Sequence, residues 1–364
     1  MKITLIAGAR PNFIKIAPII ESIKTAQKTY VDLQYRLIHT GQHFDEKMSN
    51  SFFEELQIPE PDVNLGCGGG TQAEQTAAIM IKFERDLLKF PADLVLVVGD
   101  VTSTMACSIV AQKLNTKVAH VEAGIRSGDW SMPEEINRLV TDSITNYFFT
   151  TTLNASSNLI NCGIDPSKIY FVGNTMIDTL IKQSSRLKAP PFFFENNLQK
   201  QNYLILTLHR PSNVDNPKIL ENLLDEITEN SNKLPIVFPI HPRTKKNFDL
   251  LGKSYPNLFL CEPLGYLNFN FLVKNCKAVI TDSGGITEET TVYGVPCMTL
   301  RNTTERPETC IVGTNELLGT DPKAIRPAME RLFKGEWKKG GTPDLWDGHS
   351  ANRIVAHITE LFMK

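Results

Sequence analysis

The run Thr281-Asp282-Ser283-Gly284-Gly285-Ile286-Thr287-Glu288-Glu289 has the clearest chemical potential. An apolar strand ends there, a Ser-Gly-Gly turn follows, and a helix opens at once. Such a turn aims free backbone N–H groups and a helix N-terminus at one point, which suits a diphosphate. Gly284 and Gly285 permit close backbone approach, and Ser283 adds a hydroxyl. Glu289, a turn into the helix, can accept hydrogen bonds from ribose hydroxyls. The plainer reading is a tight strand–helix turn with an N-cap. A second glycine turn, Gly8-Ala9-Arg10-Pro11, is followed by Lys15. Arg10 and Lys15 can face a phosphate there or simply be solvated cations. The G-x-G-x-x-G fingerprint is absent, so no dinucleotide cofactor is indicated.

Three carboxylate sites follow apolar runs in the first half: Val98-Gly99-Asp100, His120-Val121-Glu122-Ala123-Gly124, and Pro133-Glu134-Glu135. An acid directly after a buried strand can have its pKa raised for proton transfer. Asp100 alone also fits a helix cap before Val-Thr-Ser-Thr; three such acids together are harder to explain structurally. Arg126 is placed to order them or to hold substrate. His209-Arg210 follows a strand in the second half, where it can stabilise charge developing on a leaving diphosphate. His241-Pro242-Arg243 and the polar run Arg301–Glu308, with Arg306, follow strands in the same way. Phe269 can stack on a base, although its spacing is more typical of core. There is no G-x-S-x-G elbow, no G-x-x-x-x-G-K-[ST] loop and no H-E-x-x-H, and the histidines are too dispersed for a metal site.

These residues need a scaffold, and the pattern predicts one. Ile3–Ala7, Leu33–His39, Leu94–Gly99, Val118–Val121 and Tyr147–Thr150 read as buried parallel strands. Helical patterns lie between them at Ile14–Ile23, Glu46–Leu56, Ala73–Leu88, Ser103–Leu114 and Glu134–Ile144. The rhythm restarts after residue 200, with strands at Tyr203–Leu208, Ile236–Ile240, Leu258–Cys261, Ala278–Thr281 and Cys297–Leu300. Helices are expected at Ile219–Ile227 and Ile286–Tyr293. This alternation predicts two α/β, Rossmann-like doubly wound domains, 1–187 and 188–348, with an inter-domain cleft as ligand site. Lys188–Gln201 reads as the crossing, and a helix over 349–364 is expected to pack back on the first domain.

At 364 residues the chain is long enough for two domains. A net charge of −2 gives no global field to gather nucleic acid or an anionic membrane. No run reaches the ~20 apolar residues of a membrane helix. The start reads as no signal peptide, and seven scattered cysteines without C-x-x-C suit a reducing cytoplasm.

Assembled, the motifs GARPNFIKIAPI (8–19), TGQHFDEKM (40–48), GDVTST (99–104), HVEAGIRSGD (120–129), MPEEINR (132–138), HRPSN (209–213), TDSGGITEE (281–289) and RNTTERPE (301–308) resemble the non-hydrolysing UDP-N-acetylglucosamine 2-epimerases nearly end to end. The resemblance implies a glycosyltransferase-B-like fold, a homodimer, no cofactor or metal, and a role in polysaccharide biosynthesis. It also implies reversible inversion at C2 of the sugar, giving UDP-N-acetylmannosamine, through elimination and re-addition of UDP by way of a 2-acetamidoglucal. By matched motif Asp100, Glu122 and Glu134 would be the acid–base groups, and Arg10, Lys15 and His209 would assist departure of UDP. Ser283, Gly284 and Gly285 would hold phosphate, Glu289 ribose, and Phe269 uracil, with Arg126 and Arg306 among the substrate contacts. Ser212 stands where many members carry an acid. Members activated by a second substrate molecule carry a polar cluster near TGQH; Gln42 and His43 remain here, with Asp45-Glu46 and Gly68-Gly69-Gly70 at the neighbouring places. The FDEKM and MPEEINR variants also resemble a sister group acting on UDP-2,3-diacetamido-glucuronic acid.

Overall fold

The computed structural model describes residues 1–42 and 53–363. The chain divides into two compact units, Met1–Gln183 with Asp344–Lys364, and Ser184–Pro343.

Unit 1 holds a parallel sheet in the order β3-β2-β1-β4-β5-β6-β7. Its strands are β1 (Lys2–Ala7), β2 (Gln34–His39), β3 (Val63–Asn64), β4 (Leu94–Val98), β5 (Lys117–Val121), β6 (Tyr147–Thr150) and β7 (Ile169–Phe171). Every residue of β4 is buried, as a strand covered on both faces requires, and this explains its unbroken Leu-Val-Leu-Val-Val. The longer helices are α1 (Arg10–Ala26), α2 (Gln72–Lys89), α3 (Thr102–Lys113), α4 (Pro133–Ile144), α5 (Leu153–Asn161) and α6 (Thr175–Gln183). The helix expected over Glu46–Leu56 lies largely outside the described residues. On one face Ile79 and Phe83 of α2 pack with Ala106 and Val110 of α3 on Ile6, Ile38, Val95 and Val97.

Unit 2 repeats the plan in the order β10-β9-β8-β11-β12-β13. The strands are β8 (Leu204–Thr207), β9 (Ile236–Pro239), β10 (Leu258–Cys261), β11 (Ala278–Thr281), β12 (Cys297–Thr299) and β13 (Asn315–Leu317). Around them lie α7 (Pro217–Glu229), α8 (Pro242–Asp249), α9 (Tyr266–Asn275), α10 (Gly284–Tyr293) and α11 (Ile325–Lys334). Strand alternation divides its core between two faces. Leu204, Leu206, Phe238 and Ile280 join one cluster, and Ile205, Val237 and Val279 join the other. Lys188–Gln201 belongs to this unit, where Phe193 and Leu198 pack into the second cluster.

The last helix, α12 (Ser350–Phe362), returns to unit 1 and packs on α1. Asp178 of α6 accepts from its Ser350 and Ala351 amides at 3.1 and 2.7 Å. A neighbouring helix thus supplies the N-terminal cap that the α12 sequence itself lacks. In both sheets the strand order reverses beside the first strand, at β1/β4 and at β8/β11. Open α/β sheets bind ligands outside the strand C-termini at such switch points.

Candidate active site

At the unit 1 switch point β1 runs into α1 through Gly8-Ala9. Asn12 Oδ1 accepts from the Gly8 and Ala9 amides at 3.1 and 2.9 Å. Its Nδ2 donates to Val98 O at 2.8 Å, which ties the turn to the end of β4. Arg10 starts α1, and burial pulls its guanidinium below its ordinary pKa against the opposing effect of Glu55. Lys15 points inward, and its Nζ lies 2.7 Å from Glu122 Oε2, with both residues buried.

The turns after β4 and β5 carry two of the expected acids. Glu122 adopts φ +70°, rare for a side-chain-bearing residue, so the backbone is strained to place it. Gly99 takes the same φ, and a Cβ there would lie 3.4 Å from Lys15 Nζ and 3.8 Å from Glu122 Oε2. The Lys15–Glu122 pair therefore sits against the Gly99–Asp100 turn. Asp100 is not the cap of α3; Val101 holds that position without a side-chain bond. Its carboxylate instead meets Arg138, with Nε and Nη2 at 3.1 and 2.5 Å from Oδ2.

Helix α4 organises both turns. Glu134 stands half-buried in its first turn. The adjacent Glu135 is buried and accepts from the Ser127 and Gly128 amides and from Arg138. Asn137 donates to Asp100 O at 2.9 Å. Asp142, two turns beyond Glu134, meets His120 Nδ1 at 2.7 Å and Arg126 Nη1 at 2.6 Å. Burial alone would raise the Asp142 pKa; His120 and Arg126 outweigh it and hold the carboxyl below its ordinary value. Arg126, expected either to order the three acids or to hold substrate, is thus paired with Asp142. Gln42 accepts from the Ser103 amide and hydroxyl at 3.2 and 2.9 Å, closing the first turn of α3. His43 lies outside the described residues.

At the unit 2 switch point Asp282 is fully buried. It accepts from the His209, Arg210 and Asn213 nitrogens at 2.9–3.1 Å, and from His209 Nδ1 at 2.8 Å. Burial opposes this set, but the His209 ring and the amides prevail and depress its pKa. His209 is left half exposed with Nε2 directed away from Asp282, its ring oriented by the carboxylate.

Ser283 occupies the N-cap of α10 without a side-chain bond, which leaves the helix N-terminus uncapped by side chain. Beside it Arg301 Nη2 meets Glu305 Oε2 at 2.6 Å. Arg301 Nη1 is buried without a partner among the described residues, 3.5 Å from where a Gly284 Cβ would stand. That Cβ would fall 2.4 Å from Glu305 Oε1, so a larger residue requires the Glu305 carboxylate to move from its place beside Arg301. Gly285 continues the turn into the helix. Arg306, expected in the site, is buried and paired with Glu288 at 2.9 Å. Glu289 is fully enclosed, with Asn270 Nδ2 3.3 Å from Oε1. Burial lifts its pKa to about 7 against that hydrogen bond. Phe269 is half-buried and packs against the second core cluster of unit 2.

Reasoning from the sequence alone missed Asn12, Asn137, Arg138 and Asp142 as site-builders, and it named Glu135, Asp282, Arg301 and Glu305 only as members of their motifs, without these partners. For Arg138 and Asp142 a signal existed, since Glu134, Arg138 and Asp142 recur at i, i+4, i+8 on one helix face. Among the described residues no group of three or more His, Cys, Asp or Glu could hold a metal ion. None of the described helices is long and apolar enough to cross a membrane.

A family model described as UDP-N-acetylglucosamine 2-epimerase matches residues 25–359. The chain is 44% identical to the UDP-N-acetylglucosamine 2-epimerase of Methanocaldococcus jannaschii over 99% of both chains. It is 38% identical to the UDP-2,3-diacetamido-2,3-dideoxy-D-glucuronate 2-epimerase of Pseudomonas aeruginosa, over 99% of this chain and 100% of that one. The crystal structure of the M. jannaschii enzyme with UDP-GlcNAc and UDP superposes with a TM-score of 0.88 at 42% identity, covering 99% and 100% of the chains. A lipopolysaccharide outer core galactosyltransferase superposes at 0.54 with 13% identity over 98% and 100% of the chains, which shows a shared fold alone. Two doubly wound units with glycine turns and buried acids at their switch points, matched along nearly the whole chain, make this protein a member of the UDP-N-acetylglucosamine 2-epimerase family.

Proposed function

We propose that the protein inverts C2 of UDP-N-acetylglucosamine, reversibly, to give UDP-N-acetylmannosamine. One observation carries this reading most directly. A buried carboxylate, Glu122, is held at strained φ against Lys15, beside the Asp100 turn, at the strand-end position where such sheets bind ligands. The C2 hydrogen is not next to a carbonyl, so direct deprotonation is difficult. The reading is therefore elimination: a base removes the C2 proton, the C1–O bond breaks, and UDP departs with the bonding electrons. Re-addition of UDP to C1 with a proton delivered to the other face of C2 completes the inversion. Asp100, Glu122 and Glu134 are the proposed proton carriers in unit 1, with Arg10 and Lys15 as cations. In unit 2 the uncapped start of α10, Ser283 to Gly285, suits the diphosphate, with His209 stabilising its charge. Glu289 is assigned to ribose and Phe269 to uracil; Arg126 and Arg306, paired with Asp142 and Glu288, are assigned to substrate.

The test is conversion of UDP-N-acetylglucosamine by purified protein with no acceptor sugar added. Formation of UDP-N-acetylmannosamine supports the reading. Inertness there, with turnover of UDP-2,3-diacetamido-glucuronic acid, would move the protein to the substrate of its Pseudomonas relative. A homodimer working in a reducing cytoplasm and feeding polysaccharide assembly belongs to the same proposal; the seven cysteines, all free, agree with that compartment.

A further inference from the structure

The buried His120–Asp142 pair takes no part in the chemistry proposed above, yet it reaches both acid-bearing turns. His120 is fully buried, its ring beneath the ends of β4 and β5. Nε2 lies 2.8 Å from Gly99 O and Nδ1 2.7 Å from Asp142 Oδ1. The second oxygen of Asp142 accepts from the Gly124 amide at 3.1 Å and meets Arg126 at 2.6 Å. Gly99 immediately precedes Asp100, and Gly124 closes the turn that begins at Glu122. Gly99 and Glu122 both stand at φ +70°, which glycine adopts freely but which surrounding contacts must enforce on Glu122. The Gly99 carbonyl can only accept, so the ring donates to it through Nε2.

We propose that His120 and Asp142 are positioning residues for the epimerisation, fixing the Gly99–Asp100 turn through the Gly99 carbonyl and the Glu122–Gly124 turn through the Gly124 amide. Neither side chain reaches substrate; the pair sets the direction in which the Asp100 and Glu122 carboxylates point. Arg138 and Asn137 hold Asp100 from the side of α4, and the pair adds a strand-side anchor beside the Gly99 N–H bond to Val121 O at 3.0 Å. This inference rests on the epimerase reading.

The experiment is steady-state kinetics of Asp142→Asn and His120→Gln with UDP-N-acetylglucosamine, together with UDP affinity measured by calorimetry. Displacement of proton-transfer groups by a fraction of an ångström should lower kcat about tenfold or more, with KM and UDP affinity within about twofold of the original. A purely structural role would instead lower thermal stability and leave kcat intact at temperatures where the protein is folded. A mutant cycle completes the test. In a background carrying both Asp100→Asn and Glu122→Gln, His120→Gln should cause little further loss, because both residues it positions are already disabled. Losses that multiply, or unchanged kcat in either single variant, would overturn the proposal. Should His120→Gln fail to fold, the near-isosteric Asp142→Asn carries the same test. An original protein inert toward UDP-N-acetylglucosamine would instead remove the epimerase reading itself, and this inference with it.

Discussion

Asp100, Glu122 and Glu134 are expected to carry the protons. Asp100→Asn, Glu122→Gln and Glu134→Gln should each lower turnover by ~10²-fold or more, with UDP affinity near its original value. Near-original rates in all three would refute the assignment. Glu289 yields a stability prediction with a defined sign. Burial lifts its pKa to about 7 from the ordinary carboxyl value of 4.5. The folded state therefore binds the proton more tightly than the unfolded chain. The associated stability is present below about pH 4.5 and is lost as pH rises to about 7. Glu289→Gln, which cannot ionise, should then raise the unfolding free energy at pH 8 relative to the original protein, by on the order of 3 kcal/mol at most, and change it little at pH 5. Equal effects at the two pH values would contradict the burial argument. The positions of the acids are legible in the sequence because each follows a strand or opens a helix. Their partners are not: Arg138 reaches Asp100, and Lys15 reaches Glu122, across gaps of 38 and 107 residues. Such pairings are made by the packing of α1 and α4 on the sheet, and no local pattern encodes them.

At the scale of elements, two glycines test whether close approach is what the turns require. In Gly284→Ala the new methyl would collide with the Glu305 carboxylate, which an ion pair with the buried Arg301 holds in place. Either the Glu305–Arg301 pair or the start of α10 must shift, so UDP affinity should fall about tenfold or more while the fold survives. Retained affinity would detach the diphosphate from this helix. Gly173 and Gly163 both adopt positive φ, +91° and +83°. A Cβ on Gly173 would lie 2.1 Å from Leu345 O, whereas one on Gly163 meets nothing within 4 Å. Thermal denaturation should therefore show Gly173→Ala as the costlier change, by more than ~1 kcal/mol beyond the backbone strain common to both. Equal losses would mean that the segment leading into α12 tolerates displacement. The long apolar strands and amphipathic helices are readable from their periodicity. β3, β7 and β13 are not, because two or three residues are too few to show an alternation. Helix α9, Tyr266–Asn275, was also missed: with Asn268, Asn270 and Asn275 scattered among its apolar residues it has little contrast between faces.

For the whole molecule, doubling of one architecture is the organising fact. Both units are parallel sheets whose order reverses beside the first strand, and each reversal carries a glycine turn and a buried organising residue, Asn12 or Asp282. The restart of the strand–helix rhythm near residue 200 makes this doubling visible in the sequence. Membership of Lys188–Gln201 in unit 2 is decided by where Phe193 and Leu198 find a core. With a net charge of −2 the molecule offers no general attraction to anions, so a nucleotide sugar must be captured by local groups such as the α10 N-terminus. The central claim, inversion through C2–H cleavage, is tested most directly by proton NMR of the purified protein with UDP-N-acetylglucosamine in deuterated water. Epimerisation by elimination predicts UDP-N-acetylmannosamine accumulating with deuterium at C2. Product that retains its C2 proton, or a substrate signal that never changes, would contradict it.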